Sequence, residues 1–528
     1  MPNLTDNDFE TKITLESEAN ALPDDMPFRL LLMGDWSGRG NRDDLQSGNY
    51  RPLEIDRDNF EEVMRKLRVE LSLDLHGDGS GNILPLHFEE IDDFHPDKIF
   101  HQVSLFADLR ETRKRLLNPQ TFNQAAREVR VWMDDSKKQE DLRENEVSSS
   151  STENLSSAPP KDAGNLLDQI LFKSAGDNAA VADRPAKPQS QPTFSKGLNE
   201  LLGKLVRPFI VETDEAEQSK LVDAVDRATG ELMRLILHHP QFQALESVWR
   251  GAYLLISRVE TDSELKIYLL DIAKDELQVD IKSVGNLKDS AFYKLLVEKT
   301  AGAFGNDESW AAVCANYSFK SDVDDIAALM RIAEACAAAD TPFIAQANSA
   351  ILGVESIADA PDSDDWRIAE DAPEAKLWAM LRGLDESSYL GLTVPGFLAR
   401  LPYGAKSEPT ERFSFEELAV PAEHNQYLWA NSSFACALLL AQSFRASGWE
   451  MGQGLFQDIN NLPMHIYKED GETKVKPCAE TFMTQKAAEK ILEHGLMPLV
   501  SFRDSDRVRL VRFQSIAFPP KALQGKWT

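Results

Sequence analysis

The chain has 528 residues, 42% of them apolar, with 57 Lys and Arg against 87 Asp and Glu and a formal charge of −30. That length implies about three or four structural units with ample apolar material to bury. The acidic balance, unrelieved by any local basic patch, excludes nucleic acid and anionic membrane surfaces as natural partners. Residues 1–25 are polar and acidic and read as a disordered tail. Phe28-Arg29-Leu30-Leu31-Leu32-Met33 is then a short apolar run ending at Gly34-Asp35, which predicts a buried strand entering a turn. Ile55 to Phe60 leads into a short helix, and Val69 to Leu75 alternates apolar and polar residues as a half-exposed strand does. The glycine-rich stretch Gly77 to Asn82 predicts a hairpin turn. After Phe94-His95-Pro96, the residues Ile99, Val103, Phe106 and Leu109 supply one helix face reaching towards Leu116.

This first unit, 26–133, is followed by a flexible linker, 134–200, because Ser136 to Asn165 is rich in serine and glutamate and too poor in apolar groups to repay its ordering entropy. An amphipathic island at 166–172 emerges from it, with Leu166, Leu167, Ile170 and Leu171 at helical spacing. Further on, Leu221, Val225, Ala228, Leu232 and Leu235 mark one face of a helix that Pro240 stops. Phe242, Leu245, Trp249 and Tyr253 mark the face of a second helix, with a corner built on Trp249 and with Gly251 allowing close backbone approach. Leu265 to Ile272 reads as a strand, Tyr293 to Thr300 and Val323 to Ala339 as helices, and Pro342 to Ala345 as the next strand. Residues 354–375 read as an acidic surface excursion, and Tyr427 to Ser447 as a long apolar helix capped by Gly448. Pro519-Pro520 closes the part expected to pack. The alternation of strands and helices predicts a mixed α/β (α+β) layered architecture, with the large half divided into 201–420 and 421–528.

Candidate chemistry is sparse. Cys314, Cys336, Cys436 and Cys478 are scattered, which fits buried thiols in a reducing cytosol better than a disulfide framework. The N-terminus has no signal-peptide pattern and no run nears the roughly 18 apolar residues of a membrane span, so a cytoplasmic protein without membrane insertion is expected. His238 and His239 are adjacent and on a helix would point about 100° apart, which suits a helix end better than a metal pair. Asp78-Gly79-Ser80-Gly81-Asn82 with Glu89 imitates a calcium loop but has Ile83 where the glycine belongs. Gly452-Gln453-Gly454 and Gly203-Lys204 are incomplete nucleotide motifs. Ser321 with Asp324 resembles a capping box, and acidic pairs such as Asp364-Asp365 read as solvated surface. No catalytic, cofactor-binding or metal-binding residue is assigned, and no enzymatic activity is expected.

One block is far more particular. Leu237-His238-His239-Pro240-Gln241-Phe242-Gln243-Ala244-Leu245-Glu246-Ser247-Val248-Trp249-Arg250-Gly251 closely resembles the "HHPEFQALE..WRGL" block of the large sheath subunit of bacterial type VI secretion systems, the family called TssC, ImpC or EvpB. Lys274-Asp275-Glu276-Leu277, Leu398-Ala399-Arg400-Leu401-Pro402-Tyr403, a Trp429-Ala430-Asn431 helix, Leu462-Pro463-Met464-His465 and Gly495 to Leu499 continue the likeness from about Leu166 to Phe518. The first half resembles the small sheath subunit, TssB or VipA, through Phe28 to Gly38, Ile55 to Phe60 and Phe94-His95-Pro96-Asp97.

The resemblance implies tail-sheath-like domains and a fused component of a contractile sheath that works by assembly without a cofactor. Its implied partners are other sheath subunits joined by donated strands, inner-tube or baseplate proteins, and an AAA+ unfoldase gripping the island through Leu166, Leu167, Ile170 and Leu171. Fusion would raise the effective concentration of the two modules for each other. Family large subunits continue well past the region matching Pro519-Pro520. A chain missing that strand-exchange region is also compatible with a non-polymerising cap or regulatory accessory.

Overall fold

The computed structural model describes residues 26–41, 50–75, 83–131, 217–298, 309–367, 371–418 and 422–528. The expected tail, the linker with its island and the Gly77 to Asn82 turn lie outside the described residues. Mixed α/β architecture is what the described chain shows. Its strands are β1 (Phe28–Gly34), β2 (Leu53–Ile55), β3 (Val69–Asp74), β4 (Ile83–Phe88), β5 (Leu265–Asp271), β6 (Ala312–Phe319), β7 (Phe343–Ala347) and β8 (Leu390–Val394). They continue as β9 (Phe397–Leu398), β10 (Trp429–Ala430), β11 (Asp458–Ile459), β12 (His465–Glu469), β13 (Glu472–Lys476), β14 (Met497–Ser501) and β15 (Val508–Leu510).

Nine strands form one sheet in the order β11-β15-β14-β8-β7-β6-β1-β5-β2. Neighbours from β14 to β5 are all parallel, while β15, β11 and β2 extend the two sides antiparallel. Parallel strands must be covered on both faces, and β1, FRLLLMG, is buried along its whole length. Leu31 and Met33 enter a core with Leu329 and Ile332 of the helix Val323–Ala338. Phe28 follows the opposite side of the pleat and stacks on Phe444, with ring centroids 4.6 Å apart. Phe444 belongs to the helix Ser433–Ser447, buried almost all round as a core helix must be. Strands from 26–133, from 201–420 and from 421–528 therefore share this sheet.

The chain divides into two compact units. One comprises Met1–Leu73, Ile83–Val103 and Met233–Thr528 and holds the sheet. The other comprises Asp74–Asn82 and Ser104–Leu232, and its described part from Ser104 on is mainly helical: Leu105, Phe106, Leu109, Leu116, Val129, Leu221 and Val225 are buried there. Arg115 pairs with Glu128 at 2.6 Å and Arg113 with Asp226 at 2.5 Å within it.

Several elements differ from the sequence reading. The helix Glu217–Leu237 buries Leu221, Val225, Ala228 and Leu232, but Leu235 is 41% exposed, because Ile236, four residues after Leu232, takes the inward position. The helix Pro240–Arg258 starts at the expected proline and buries Phe242, Leu245 and Trp249, whereas Tyr253 is 48% exposed, its ring meeting Phe60 in a T-shaped pair at 5.5 Å. The run from Pro96 breaks at Val103 into Pro96–Gln102 and Ser104–Leu117. Only Ala291–Tyr293 and a π-helical turn at Lys294–Glu298 are described of the Tyr293 to Thr300 helix.

Trp429-Ala430 is not helical. It pairs with Phe397–Leu398, and the helix begins at Ser433 because the Asn431 side chain accepts from the Ser433 N–H at 2.9 Å and donates to the Tyr317 carbonyl at 3.0 Å. The cap of Val323–Ala338 is Asp322, whose carboxylate accepts from the Asp325 N–H at 2.9 Å, so Ser321 and Asp324 form no capping box. Residues 354–375 are not merely a surface excursion, since Ile357 and Trp366 are buried in the core and the helix Pro373–Arg382 starts within them. Packing also continues past Pro519-Pro520. Leu523 and Trp527 are buried, and Lys526 Nζ donates to the carbonyls of Trp310, Ala339 and Asp340 at 2.9, 3.0 and 2.9 Å, closing the C-terminal end of a helix where a cation belongs.

Candidate assembly interface

Strand β1 lies in register between β5, from Phe28↔Leu265 to Gly34↔Asp271, and β6, from Leu30↔Ala312 to Met33↔Ala315. The turn after it is fixed by the far segment too. Asp271 Oδ1 accepts from the backbone N–H groups of Trp36 and Ser37 at 2.9 and 3.1 Å, and the Trp36 indole donates to the Leu270 carbonyl at 3.1 Å. Arg39 reaches Asp271 at 2.8 Å and Glu276 at 3.3 Å. Burial disfavours the Arg39 cation, yet these two carboxylates outweigh it and hold its pKa above the ordinary value. Asp35 is pushed up by burial and by Asp271, against the N–H groups of Arg39 and Gly40 that stabilise its charge. Gly38 is required here: its φ is +74° and a Cβ would stand 2.3 Å from the Glu70 carbonyl oxygen.

Aromatic packing reinforces the ladder. The Trp249 indole donates to the Trp36 carbonyl at 2.8 Å, its ring meets Trp36 at 5.3 Å and Phe60 at 5.5 Å, and so the expected corner at Trp249 is built on the N-terminal segment. Gly251, two residues along, lets the Phe434 ring approach: a Cβ there would lie 2.4 Å from a ring carbon. Phe88 and Phe94 stack at 4.2 Å, and both contact Phe242 edge-on. His95 meets Tyr403 at 4.9 Å, Phe100 stacks on Phe413 at 4.8 Å, and the Asp97 carboxylate accepts from the N–H groups of Glu411 and Arg412 at 2.8 and 3.1 Å.

Behind Tyr403 is a charge network that sequence reasoning missed. Arg400 binds Glu246 at 2.7 Å and Glu417 at 2.7 Å, with side-chain exposures of 4%, 0% and 1%. Arg250 binds Glu246 at 2.7 Å and the Tyr403 hydroxyl at 2.8 Å. Burial opposes ionisation of Glu246, but Arg400 and Arg250 prevail and hold its pKa below the ordinary carboxylate value. Burial pushes the Tyr403 phenol up. The one local signal was Glu246 and Arg250 at i, i+4 on either side of buried Trp249, where a helix face should be apolar. The arrangement pairs charges and locks chain segments together; it presents no unpaired nucleophile to a substrate.

The histidine pair sits at the helix end as expected. His239 is the N-cap, its Nδ1 accepting from the Gln241 N–H at 3.3 Å, while His238 Nε2 lies 3.8 Å from Glu417. All four cysteines are free and buried. Among the described residues no group of three or more His, Cys, Asp or Glu is placed to hold a metal ion, and no helix is long and apolar enough to cross a membrane. Leu166, Leu167, Ile170 and Leu171, as well as Asp78 to Asn82 and Gly203-Lys204, lie outside the described residues.

Residues 219–517, which supply β5 to β15, match the family model described as "EvpB/VC_A0108, tail sheath N-terminal domain". The chain belongs to this tail sheath family. Residues 11–146, which supply β1 to β4, match a second model, "Type VI secretion system, VipA, VC_A0107 or Hcp2". Among curated proteins, the type VI secretion system sheath protein TssC1 of Pseudomonas aeruginosa is 35% identical over 305 residues, covering 57% of this chain and 61% of the relative. Sheath protein TssB1 of the same organism is 29% identical over 100 residues, covering 18% of this chain and 58% of the relative. The chain thus spans about three fifths of the length of each relative. The pairing of β1 with β5 and β6, the Asp271, Trp249 and Phe242 contacts and the Asp97 bonds lie between the two matched regions, within a single folded unit.

Proposed function

We propose that this chain is a structural component of a type VI secretion contractile sheath in which a small-subunit-like and a large-subunit-like module are fused and fold as one. The observation that carries this reading is β1, a strand of the VipA-matched region paired on both sides by strands of the EvpB-matched region. The bounds 26–133, 201–420 and 421–528 are then sequence modules, and the linker 134–200 connects them. Partners are other sheath subunits, with inner-tube or baseplate proteins as further contacts, and the protein works in the cytoplasm by packing, without a catalytic step. The island residues Leu166, Leu167, Ile170 and Leu171 serve as the grip of an AAA+ unfoldase.

Pelleting and negative-stain microscopy of the purified full chain, alone and mixed with separate large and small sheath subunits, test this reading. Ordered tubes containing the chain are expected. If only soluble complexes of fixed stoichiometry form in every mixture, the sheath role is refuted and a cap or regulator takes its place.

A further inference from the structure

The hairpin β12–β13 is held at its foot by a row of three side chains, two of them four residues apart and the third from a distant segment. Lys476, the last residue of β13, places Nζ 3.3 Å from Nδ1 of His424, and Nε2 of His424 lies 3.3 Å from a carboxylate oxygen of Glu480. The other oxygen of Glu480 accepts from the Gly396 N–H at 2.7 Å. The His424 ring stacks on Trp429 at 4.9 Å, and Nζ of Lys476 stands 4.8 Å from the ring centre of Tyr427 and 5.6 Å from that of Trp429. Lys476 is half-buried, not sealed off from solvent.

An ammonium group only donates, so Nδ1 accepts from Lys476 and the imidazole proton sits on Nε2, facing Glu480. Moving one proton from Nζ to Nδ1 leaves a neutral amine beside an imidazolium that the carboxylate stabilises. Nucleophile, base and orienting group are thereby in hydrogen-bond order. Burial favours this shift by lowering the Lys476 pKa, with Glu480 and Asp359 opposing. The other titratable groups close by are His424 itself, His465 opposite Lys476 in the ladder, and the Tyr427 hydroxyl, 3.0 Å from Nδ1 of His465. Burial also lowers the His465 pKa, so near neutral pH it adds little positive charge.

We propose that Lys476 is a modification site whose amine is acylated by small acyl thioesters, with His424 and Glu480 as positioning residues. The Nζ lone pair forms the N–C bond to the acyl carbon and the C–S bond breaks; the proton that Nδ1 has taken from Nζ goes to the leaving thiolate, and the second proton that Nζ loses as the amide forms passes to the freed Nδ1 and from there to solvent. The amide product is neutral, so the cation facing Tyr427 and Trp429 is lost and the hairpin's tether with it. This site stands apart from the sheath reading and does not depend on it.

The full chain is incubated with acetyl-CoA between pH 6.5 and 9, and acetylation is followed by peptide mass spectrometry at Lys476 and at Lys468 and Lys474 of the same hairpin. Near pH 7 Lys476 should react several-fold faster than Lys468, with a profile displaced to lower pH, the direction in which burial moves its amine. His424→Ala should bring Lys476 down to the rate of Lys468 and leave Lys468 unchanged. A wild-type Lys476 no faster than Lys468 overturns the proposal, and a fast Lys476 indifferent to His424→Ala overturns the role given to His424.

Discussion

Replacing Arg400 by methionine removes one guanidinium from between two carboxylates that water does not reach. Arg400 makes four short contacts, to Glu246 at 2.7 and 3.2 Å and to Glu417 at 2.7 and 3.0 Å. In the variant Glu246 keeps Arg250, but Glu417 is left with the Tyr403 N–H at 2.7 Å and His238 at 3.8 Å. Breaking a buried pair from one side costs about 3–5 kcal/mol, which corresponds to opening of the 401–418 segment about 10²- to 10⁴-fold more often. Amide hydrogen exchange of peptides covering 401–418 reads this directly. The penalty also depends on pH with a definite sign. A stranded buried carboxylate is relieved by protonation, so the folded variant binds a proton that the unfolded chain does not, and its deficit narrows as pH falls from 8 to 5. In the wild type the depressed pKa of Glu246 acts oppositely, contributing stability above the unfolded value of about 4.3 that is lost as pH falls through the lower folded value. An exchange increase below ten-fold, or one equal at pH 5 and 8, would refute the assigned energetics.

Gly251→Ala should destabilise the fold by up to about 2 kcal/mol, because overpacking costs about 1–3 kcal/mol against the ~1 kcal/mol gained in helix propensity. Three Phe434 ring atoms lie within 2.4, 2.6 and 2.8 Å of the new methyl, and a thermal midpoint at or above wild type would show that the ring yields freely. Deleting residues 166–172 should abolish binding of a sheath-recycling AAA+ unfoldase in a pull-down, with a thermal melt of the variant as the control for folding; undiminished binding rejects Leu166, Leu167, Ile170 and Leu171 as its grip.

Local chemistry was legible wherever one residue decides the outcome. Pro240 opens its helix at the first turn, Gly448 closes Ser433–Ser447 with a φ of +58°, and the alternation from Val69 appears as a strand buried at every second residue. Inward and outward faces were less legible at helix ends. Leu235 and Ile236 are equally plausible continuations from Leu232, and only the neighbouring structure chooses between them. Trp429 and Ala430 lie directly before an apolar helix and share its composition, yet they extend because a distant pair, Phe397 and Leu398, offers backbone partners. The side chain of Asn431 then supplies the stop that hydrophobic periodicity does not register.

The position of β1 is the case where pattern reading ends. A run such as Phe28 to Met33 announces a strand buried on both faces, but it does not say which strands will flank it. The partners begin at Leu265 and Ala312, and neither carries a sequence mark that points to Phe28. What fixes the pairing is a set of contacts outside the strand. Asp271 fastens the turn after β1, and Trp249 reaches back to the Trp36 carbonyl. Asp97 caps the N–H groups of Glu411 and Arg412 more than three hundred residues away. The same logic hid Arg400, whose run Leu398 to Tyr403 is conspicuous for its likeness to the sheath family but whose acidic partners sit 154 and 17 residues away. A central strand has both backbone edges occupied, so removing it opens two ladders at once, and it is harder to displace than an edge strand. That is why the join between the matched regions is a property of the core, where β1 sits between β5 and β6.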